Sequence, residues 1–333
     1  MNYKESTQIL KEIKKAKKIL VNCHRGPDSD SVGSALAMYG VLEDMGKDVS
    51  IVCPDEIPED LKFLEKSSLI KKTDFEKFNF NDFDLFIILD SSTFGMASGY
   101  KELELPKITT VILDHHYTNL GYGTLNLVDS KVTSTSELLY LIFSDWGVSM
   151  NKNICEALLV GILGDTGVFQ HNGVGSGTLQ IAVDLINNGA DKDKIILNMY
   201  KSVNFSTIKF WGKIIENMQK DKLERFVWSA VSNKDFLEFG GDKNAKEDAA
   251  NMFFPIVKNT DFGIIMIETE IGKVSVSLRS RGSFDVSLIA NEIGGGGHKA
   301  ASGAKVEGLA FDKAVEKVLG ACRKYAKKNL RRN

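Results

Sequence analysis

The chain has 333 residues, of which 43% are hydrophobic, so it can bury more than one core and two domains are expected. Its 42 Lys and Arg residues nearly balance 44 Asp and Glu residues, and the formal charge of −2 excludes a global positive field for long nucleic acids. The apolar runs are too short to cross a bilayer, and residues 1–21 carry many charges, which predicts a cytoplasmic protein. The four Cys residues are scattered, so we expect neither a disulfide framework nor a thiolate zinc site.

The first half of the chain predicts an alternation of helices and buried strands. Charged residues at helical spacing predict a helix over residues 6–18, and the apolar stretch 19–23 predicts a strand. After a turn-rich segment, small and apolar residues predict a helix over residues 31–45. Three further apolar runs predict strands at 49–52, 85–89 and 110–113. Strands that are apolar on both faces are typical of a parallel sheet flanked by helices.

The second half changes from an apolar helical pattern to strands. Residues 154–163 have helical spacing, although Gly161 and Gly164 weaken the helix prediction. A polar helical segment follows residue 189. The remaining pattern predicts strands at 226–231, 262–268 and 273–278, a helix at 286–293 and a final helix rich in Lys and Arg.

These patterns together predict an α/β protein with two domains. We expect an N-terminal domain, residues 1–188, with a mainly parallel sheet flanked by helices. A helical linker, residues 189–215, would follow. A smaller C-terminal α/β domain with a mixed sheet would then occupy residues 216–333.

Acidic and histidine side chains recur at the ends of the predicted elements. They are His24, Asp28, Asp30, Asp90, Asp114, His115, His116 and Asp165. In open parallel sheets, ligands bind at the carboxyl edge of the strands. A single Asp after a strand commonly caps the next helix, as Asp28 or Asp30 could do here. That explanation weakens for the whole set, because several strand ends deliver the same residue types and three of the five His residues are among them.

Carboxylates and imidazoles without thiolates form a ligand set for hard or borderline divalent ions. Manganese is the leading candidate, with magnesium, iron and cobalt as alternatives. Six ligands are too many for one catalytic ion that keeps open positions, but they suit two ions about 3.5 to 4 Å apart. Paired ions indicate phosphoryl chemistry, because they activate water and stabilise the charge on the phosphate oxygens.

A second group of candidate residues lies in the C-terminal part. Arg279 and Arg281 end a strand pattern, where side chains two residues apart share a face and can hold a phosphate bidentately. Surface ion pairs are an equal alternative for these two residues. The four glycines at 294–297 indicate either a flexible turn or a close approach of backbone N–H groups to an anion. His298 and Lys299 add positive charge there.

The sequence Asp-His-His at 114–116, together with the motif at 24–30, resembles the DHH phosphoesterase superfamily, which is named after this triplet. The phrase Gly-Ile-Leu-Gly-Asp-Thr-Gly at 161–167 is similar to the fourth motif of that family. The glycine run followed by His298 is similar to the glycine motif of the DHH-associated second domain. The resemblance covers nearly the whole chain.

The resemblance implies a role for each candidate residue. One metal ion would be held by His24, Asp28 and Asp90. The other would be held by Asp30, Asp90, His115 and Asp165, so that Asp90 bridges the two. Asp114 would orient a metal ligand without binding an ion itself. His116 would donate a hydrogen bond or a proton to the reacting phosphate. The residues implied on the substrate side are Arg279, Arg281, Gly296, Gly297 and His298.

Proteins of this length and plan in the family hydrolyse RNAs of a few nucleotides and often 3′-phosphoadenosine 5′-phosphate, so the resemblance implies a short single-stranded RNA or small nucleotide as substrate. The enzymatic alternative is a phosphodiesterase for cyclic di-AMP or its linear product. An alternative of another class is a nucleotide-binding protein that has lost catalysis, although every expected ligand position is filled. Long duplexes and membranes are not expected partners, and a homodimer is plausible for the family.

Two features depart from the simplest expectation. Gln170, His171 and Asn172 follow the fourth motif, where many relatives have Arg and an aromatic residue, so a substrate contact differs here. For a lone His such as His171, a surface or packing role is the more common one. The basic end, residues 323–332, is more typical of a solvated helix face or a frayed tail than of a binding site.

Overall fold

The computed structural model describes residues 2–171, 173–223, 225–240 and 244–330. The chain divides into two compact units, Met1–Ser202 and Val203–Asn333. Two earlier predictions fall partly outside the described residues, at Asn172 and at the Arg331 and Arg332 end of the basic segment. In the described part of the chain, no helix combines the length and the apolar character needed to cross a membrane.

The first unit is an alternation of helices and strands. Its strands are β1 (Lys18–Asn22), β2 (Asp48–Cys53), β3 (Ile70–Lys72), β4 (Leu85–Leu89), β5 (Thr109–Asp114) and β6 (Leu125–Val128). Its α-helices are α1 (Lys4–Lys15), α2 (Ser29–Asp44), α3 (Phe94–Ser98), α4 (Thr135–Asp145), α5 (Lys152–Asp165), α6 (Ser176–Asn187) and α7 (Lys192–Tyr200). Short 3-10 turns lie at Glu59–Leu61, Ser67–Leu69 and Phe80–Asp82.

The six strands form one sheet in the order β3-β2-β1-β4-β5-β6, and every neighbouring pair is parallel. The chain order reverses between β1 and β4, so the sheet has its topological switch point there. Both faces are buried. Helices α1, α2, α4 and α5 contribute to the core on one face, and the aromatic segment 75–108 covers the other. The predicted parallel sheet is therefore confirmed.

Helices α2 and α5 pack closely because glycines remove side chains from their contact. A Cβ atom on Gly33 would lie 2.4 Å from the Ala157 carbonyl oxygen. A Cβ on Gly164 would lie 1.6 Å from Ser29 Oγ. The glycines that weaken the helix prediction for 154–163 thus lie inside a regular helix, since tertiary packing outweighs their low helix propensity.

The second unit contains a mixed sheet. Its strands are β7 (Gln219–Lys220), β8 (Phe226–Val231), β9 (Phe262–Glu270), β10 (Lys273–Ser280), β11 (Gly296–Gly297) and β12 (Ala301–Glu307). Its helices are α8 (Phe205–Glu216), α9 (Asn233–Glu238), α10 (Asn244–Phe253), α11 (Ser287–Glu292) and α12 (Phe311–Leu330). The order is β11-β12-β10-β9-β8-β7, with β8 and β9 parallel and the other pairs antiparallel.

Two cores lie on the two faces of this second sheet. One contains apolar side chains of α11 and α12, and the other contains those of α8 and α10. The apolar residues Phe210, Trp211 and Ile214 of α8 belong to the second core, so this helix is less polar than the sequence pattern after residue 189 suggested. In α12, Arg323 pairs with the buried Asp221 at 2.7 Å, which gives part of the basic segment a structural role.

Candidate metal centre

The candidate ligands lie in the first unit, at the carboxyl edge of its sheet. His24 follows β1, Asp90 follows β4, and His115 follows β5. Asp28 and Asp30 lie at the start of α2, and Asp165 is the last residue of α5. Parallel strands deliver their carboxyl ends to one edge. Residues distant in the chain are thereby brought together.

The first group of ligand atoms comprises His24, Asp28 and Asp90, which lie within 4.8 Å of one another. His24 Nε2 is 3.4 Å from Asp90 Oδ2 and 3.6 Å from Asp28 Oδ1. His24 Nδ1 lies 2.9 Å from the Arg25 carbonyl oxygen, which can only accept a hydrogen bond. Nδ1 therefore carries a proton, and Nε2 is the ring nitrogen that faces the carboxylates and would bind a metal ion.

The second group comprises Asp30, His115 and Asp165, again within 4.8 Å. His115 Nε2 lies 3.1 Å from Asp165 Oδ2 and 3.6 Å from Asp90 Oδ1. Despite this proximity, His115 Nε2 is buried and has no hydrogen-bond partner among the described residues. A buried imidazole nitrogen without a hydrogen bond, facing carboxylates, fits a cation ligand. The site thus suits two ions that share Asp90.

The electrostatics of the site show an excess of negative charge. Burial raises the pKa of the Asp30 carboxyl well above its usual range, and the charges of Asp90 and Asp165 raise it further. Burial also raises the pKa of Asp165, against the lowering effect of His115, whose Nε2 lies 3.1 Å from Asp165 Oδ2. Carboxylates packed this closely repel one another unless a cation neutralises them.

The two imidazoles of the site respond in the opposite sense. Burial lowers the pKa of His24, but hydrogen bonds and charges from two carboxylates outweigh it and raise the pKa to about 11. Burial likewise lowers the pKa of His115, while the nearby carboxylates of Asp165, Asp30 and Asp90 raise it to about 9. In the absence of metal, both rings are therefore positively charged at neutral pH, with a proton on each nitrogen. A metal ion must displace one proton from each ring that it binds.

Helix α4 supports the site through contacts that the sequence did not reveal. The backbone N–H groups of Thr135 and Ser136 donate to the two oxygens of Asp30, at 2.6 and 2.9 Å. The hydroxyl of Thr135 donates to Asp90 Oδ1 at 3.0 Å. The only signal in the sequence is the pattern from Ser134 to Glu137, which is typical of a helix N-terminus. Asp30 thus holds the start of α4 as well as facing the candidate ions.

His116 is oriented by Asp114 rather than by the candidate ions. Its Nδ1 lies 2.8 Å from Asp114 Oδ1, whereas Asp90 Oδ1 is 3.6 Å away. Asp114 is fully buried, and its Oδ2 accepts a hydrogen bond from Asn119 at 2.7 Å. Burial raises the pKa of Asp114, but the bonds from His116 and Asn119 outweigh it and lower the pKa. His116 Nε2 remains available for a substrate; Asn119 is a further support that sequence reasoning missed.

In the second unit, Arg279 is held by helix α10. Its Nη2 donates to Glu247 Oε2 at 2.8 Å, and its Nε donates to Asn251 Oδ1 at 2.6 Å. Burial raises the pKa of Glu247, but hydrogen bonds from Lys246 and a serine outweigh it and lower the pKa. The structure thus shows the ion pair, whereas phosphate binding by the remaining N–H groups of Arg279 stays a prediction.

The alternation argument does not extend to Arg281, so a strand face shared with Arg279 stays a prediction. Strand β10 ends at Ser280, and Arg281 is the exposed residue beyond it. Its backbone N–H still donates to the Asp261 carbonyl oxygen at 2.7 Å. Alternation within the strand therefore does not determine the direction of its side chain, because the turn starts one residue earlier than the pattern indicates.

The glycine run lies near Arg279 across strand β12. Gly296 pairs with Gly303, Gly297 pairs with Ser302, and Arg279 pairs with Ala301. Two strand spacings, about 10 Å, separate β11 from β10. The exposed His298 begins the turn between β11 and β12, and its N–H donates to the Ala301 carbonyl oxygen at 2.8 Å. The predicted substrate residues of this unit thus occupy one end of one sheet.

The glycines of the run differ in how strongly the surrounding structure excludes a side chain. A Cβ on Gly295 would lie 2.1 Å from the Gly303 carbonyl oxygen. Gly297 has a φ of +136°, and its Cβ would lie 2.7 Å from Ser302 Cα. Gly296 has no such restriction, since the nearest atom to its Cβ would be 3.8 Å away. The fold therefore requires Gly295 and Gly297, but not Gly296.

The chain after Asp165 forms a left-handed turn. Gly167, Val168 and Phe169 have φ values of +54°, +56° and +65°. Such values are strained for a β-branched residue, and strain of this kind clusters at functional sites. His171 packs on this turn, with Nδ1 2.8 Å from the Asp165 carbonyl oxygen, which agrees with a packing role.

Comparison with known proteins agrees with this architecture. Residues 18–162 match the DHH family N-terminal domain, and residues 226–325 match the DHHA1 domain. The chain therefore contains a DHH domain and a DHHA1 domain, as its resemblance to the DHH family predicted.

Among its relatives is the bifunctional oligoribonuclease and PAP phosphatase NrnA of Thermus thermophilus, 29% identical over 96% of this chain and 94% of the relative. The cyclic-di-AMP phosphodiesterase PdeA of Listeria monocytogenes is 24% identical over 96% of this chain, but this chain spans only 50% of that protein. An exopolyphosphatase-related protein from Bacteroides fragilis has a similar structure, with a TM-score of 0.88, 26% identity, and coverage of 97% of this chain and 96% of that one. These relationships confirm the predicted fold class and, at the level of the family, a hydrolase acting on phosphate esters.

Proposed function

We propose that the chain is a two-metal phosphoesterase that hydrolyses RNAs of a few nucleotides and 3′-phosphoadenosine 5′-phosphate. The observation that carries the proposal is the buried His115 Nε2, which lies among carboxylates and has no hydrogen-bond partner in the part of the chain that the structure describes. Both groups of candidate ligands lie close to Asp90, which belongs to the first group and lies 3.6 Å from His115 of the second. A binding protein without catalysis would not need this arrangement of buried charge.

In this proposal each residue of the first unit has one role. One ion would be held by His24, Asp28 and Asp90. The other would be held by Asp30, Asp90, His115 and Asp165. Mn²⁺ is the proposed metal, because oxygen and imidazole ligands without thiolates suit it. Divalent ions bound there supply Lewis acidity and neutralise charge on the phosphate.

The remaining chemistry belongs to His116 and Asp114. Asp114 accepts the Nδ1 proton of His116, which fixes the ring and directs Nε2 away from the carboxylate. From Nε2, His116 would donate a hydrogen bond to the phosphate and a proton to the leaving oxygen. The 45% exposure of the His116 side chain leaves this atom accessible.

We assign substrate binding to the second unit. Arg279, held by Glu247 and Asn251, would contact a phosphate with its remaining N–H groups. Arg281, Gly296, Gly297 and His298 are assigned to the same role. The domain boundaries predicted from the sequence, at 188/189 and 215/216, belong to this proposal, as do a cytoplasmic location and a homodimer.

The proposed substrates are short for two reasons. The formal charge of −2 gives no extended track for a nucleic-acid backbone. The NrnA relative, which aligns over nearly its whole length, is named an oligoribonuclease and PAP phosphatase. The second candidate substrate is cyclic di-AMP or its linear product, favoured by the name of the Listeria relative.

Hydrolysis of a panel of substrates tests the proposal. RNAs of two, three, five and twenty nucleotides, 3′-phosphoadenosine 5′-phosphate and cyclic di-AMP are each incubated with Mn²⁺ and with a chelator. We expect hydrolysis only with Mn²⁺, with the twenty-nucleotide RNA as the poorest RNA. The Asp90→Asn variant should be inactive. Asp84→Asn is the matched control, because Asp84 lies at the opposite end of β4 and accepts backbone N–H groups at 2.8 and 2.9 Å. Equal rates with metal and with chelator would contradict the metal mechanism.

A further inference from the structure

Asn22 lies where strands β1 and β4 separate. The backbone pairing of these strands ends at Val21 and Ile87, although β4 continues to Leu89. The Oδ1 atom of Asn22 accepts the backbone N–H of Leu89 at 3.0 Å. The side chain of Asn22 therefore takes the place of a backbone carbonyl and keeps the two strand ends at a fixed spacing.

The residue after Leu89 is Asp90, which lies in both candidate ion environments. Asp90 has a φ of +51°, an uncommon conformation for a residue other than glycine. Its own N–H donates to the Leu113 carbonyl oxygen of β5 at 3.0 Å. The backbone at residues 89 and 90 is thus held from β1 on one side and from β5 on the other. These two bonds fix the turn that directs the Asp90 carboxylate into the site.

The other end of the Asn22 amide is unsatisfied. Asn22 is fully buried, and its Nδ2 has no hydrogen-bond partner among the described residues. A buried donor without a partner is unfavourable, and an apolar side chain of the same size would avoid that cost. The acceptor atom Oδ1 therefore provides the reason for an asparagine at this position.

We propose that Asn22 is a positioning residue for the metal centre: its bond to the Leu89 N–H holds Asp90 against His24. The proposal rests on the proposed function, because it assumes that Asp90 and His24 are metal ligands. The distance it controls is the 3.4 Å between His24 Nε2, on the β1 side, and Asp90 Oδ2, on the β4 side. Among the described residues, no other side chain accepts the Leu89 N–H.

The test compares variants that keep or remove the acceptor. Asn22→Leu has a similar size and no acceptor, whereas Asn22→Asp keeps an oxygen at the Oδ1 position. Mn²⁺ affinity is measured by calorimetry on the full chain, and the Co²⁺-loaded protein gives an absorption spectrum that reports ligand geometry. We expect 10- to 100-fold weaker Mn²⁺ binding and an altered Co²⁺ spectrum for Asn22→Leu. Asn22→Asp should bind Mn²⁺ within about threefold of the wild type or more tightly.

Glu156 provides the matched control, because it is also buried in the first unit and one of its side-chain atoms, Oε1, also has no hydrogen-bond partner among the described residues. It lies in α5, and its side chain pairs with Lys194 at 3.0 Å and with Lys152 at 3.6 Å rather than with the candidate ligands. Glu156→Gln should lower the unfolding temperature and leave Mn²⁺ affinity and the Co²⁺ spectrum unchanged. This control separates loss of stability from loss of metal positioning.

The outcomes distinguish this proposal from the proposed function. If the wild type binds no Mn²⁺, the proposed function fails. If the wild type binds Mn²⁺ and Asn22→Leu binds it within threefold as tightly, or Asn22→Asp loses as much affinity as Asn22→Leu, the positioning role is wrong. If Asn22→Leu does not fold, Asn22→Ala replaces it with the same expected loss. If neither folds, Asn22 serves the fold rather than the site, and the proposal is overturned.

Discussion

Gly161→Ala is the substitution that most directly tests how helix α5 shapes the metal site. In the structure, a Cβ atom on Gly161 would lie 2.0 Å from Ser136 Oγ and 2.5 Å from Asp30 Oδ1. Ordinary contact begins near 3.4 Å, so both atoms must move by about 1 Å or more. Ser136 Oγ is itself within 3.0 Å of Ser34 Oγ, in a fully buried position. The added methyl group therefore displaces Asp30, a proposed metal ligand, and breaks buried hydrogen bonds.

Two opposing effects set the magnitude of the Gly161→Ala change. Overpacking of a buried site costs about 1–3 kcal/mol. Alanine in a helix interior is favoured over glycine by about 1 kcal/mol, which offsets part of that cost. We expect a net loss of up to about 2 kcal/mol in the free energy of unfolding without metal. Displacement of Asp30 should weaken Mn²⁺ binding by roughly 10-fold or more.

The assay combines urea unfolding with chelator present and Mn²⁺ titration by calorimetry. Gly177→Ala is the matched control, because Gly177 lies in helix α6 of the same unit and has no atom within 4 Å of its added Cβ. That variant should be as stable as the wild type or slightly more stable, with unchanged Mn²⁺ affinity. If Gly161→Ala behaves like Gly177→Ala in both measurements, the argument from close packing is refuted.

Three further predictions address the glycine run, the imidazoles and the second unit. Gly296→Ala should leave the unfolding temperature unchanged and raise KM for a dinucleotide roughly tenfold, whereas Gly295→Ala should destabilise the protein by about 1–3 kcal/mol; equal behaviour of the two variants would contradict this. Mn²⁺ binding at pH 7 should release about one or two protons, because the pKa values of His24 and His115 are about 11 and 9 without metal. Calorimetry in buffers of different ionisation enthalpy measures this, and zero release would refute it. Because the pKa of Glu247 is depressed, its carboxylate stabilises the fold above its ordinary value of 4.5, and this contribution is lost as the pH falls through the depressed value. The stability advantage of the wild type over Glu247→Gln should therefore shrink below about pH 4.5 in thermal unfolding, and a pH-independent difference would contradict it.

The sequence was sufficient for the parts of the structure that depend on local patterns. Apolar runs marked strands β1, β2, β4 and β5 to within a few residues, because strands buried on both faces need continuous apolar sequence. The ligand candidates could be chosen because most of them follow such a run, and Asp165 follows an apolar helical run. Convergence at one edge then follows from parallel topology.

The parts that the sequence did not reveal depend on contacts between distant residues. Asn22 and Asn119 look like ordinary polar residues until the neighbouring strand or turn shows which group each amide bonds. Thr135 is separated from Asp30 by more than a hundred positions in the chain. No local pattern encodes such pairs, because tertiary packing alone determines them.

The glycines illustrate the same limit. Gly161 and Gly164 lower the helix propensity of their segment, yet both lie within α5, because α2 and α4 approach that face. The run at 294–297 contains glycines with different restrictions, and only the register of β11 with β12 separates them. Helix propensity gives the loss of helix stability that a glycine causes. The atoms around the glycine determine whether a larger side chain would fit at that position.

All the proposed metal ligands belong to the unit Met1–Ser202, and the assigned nucleotide-contacting residues belong to Val203–Asn333. In the proposed function, bond cleavage and molecular recognition are thus encoded by separate stretches of polypeptide. Such an arrangement would make the protein modular, because exchange of the C-terminal half would redirect an unchanged hydrolytic half towards another phosphorylated compound.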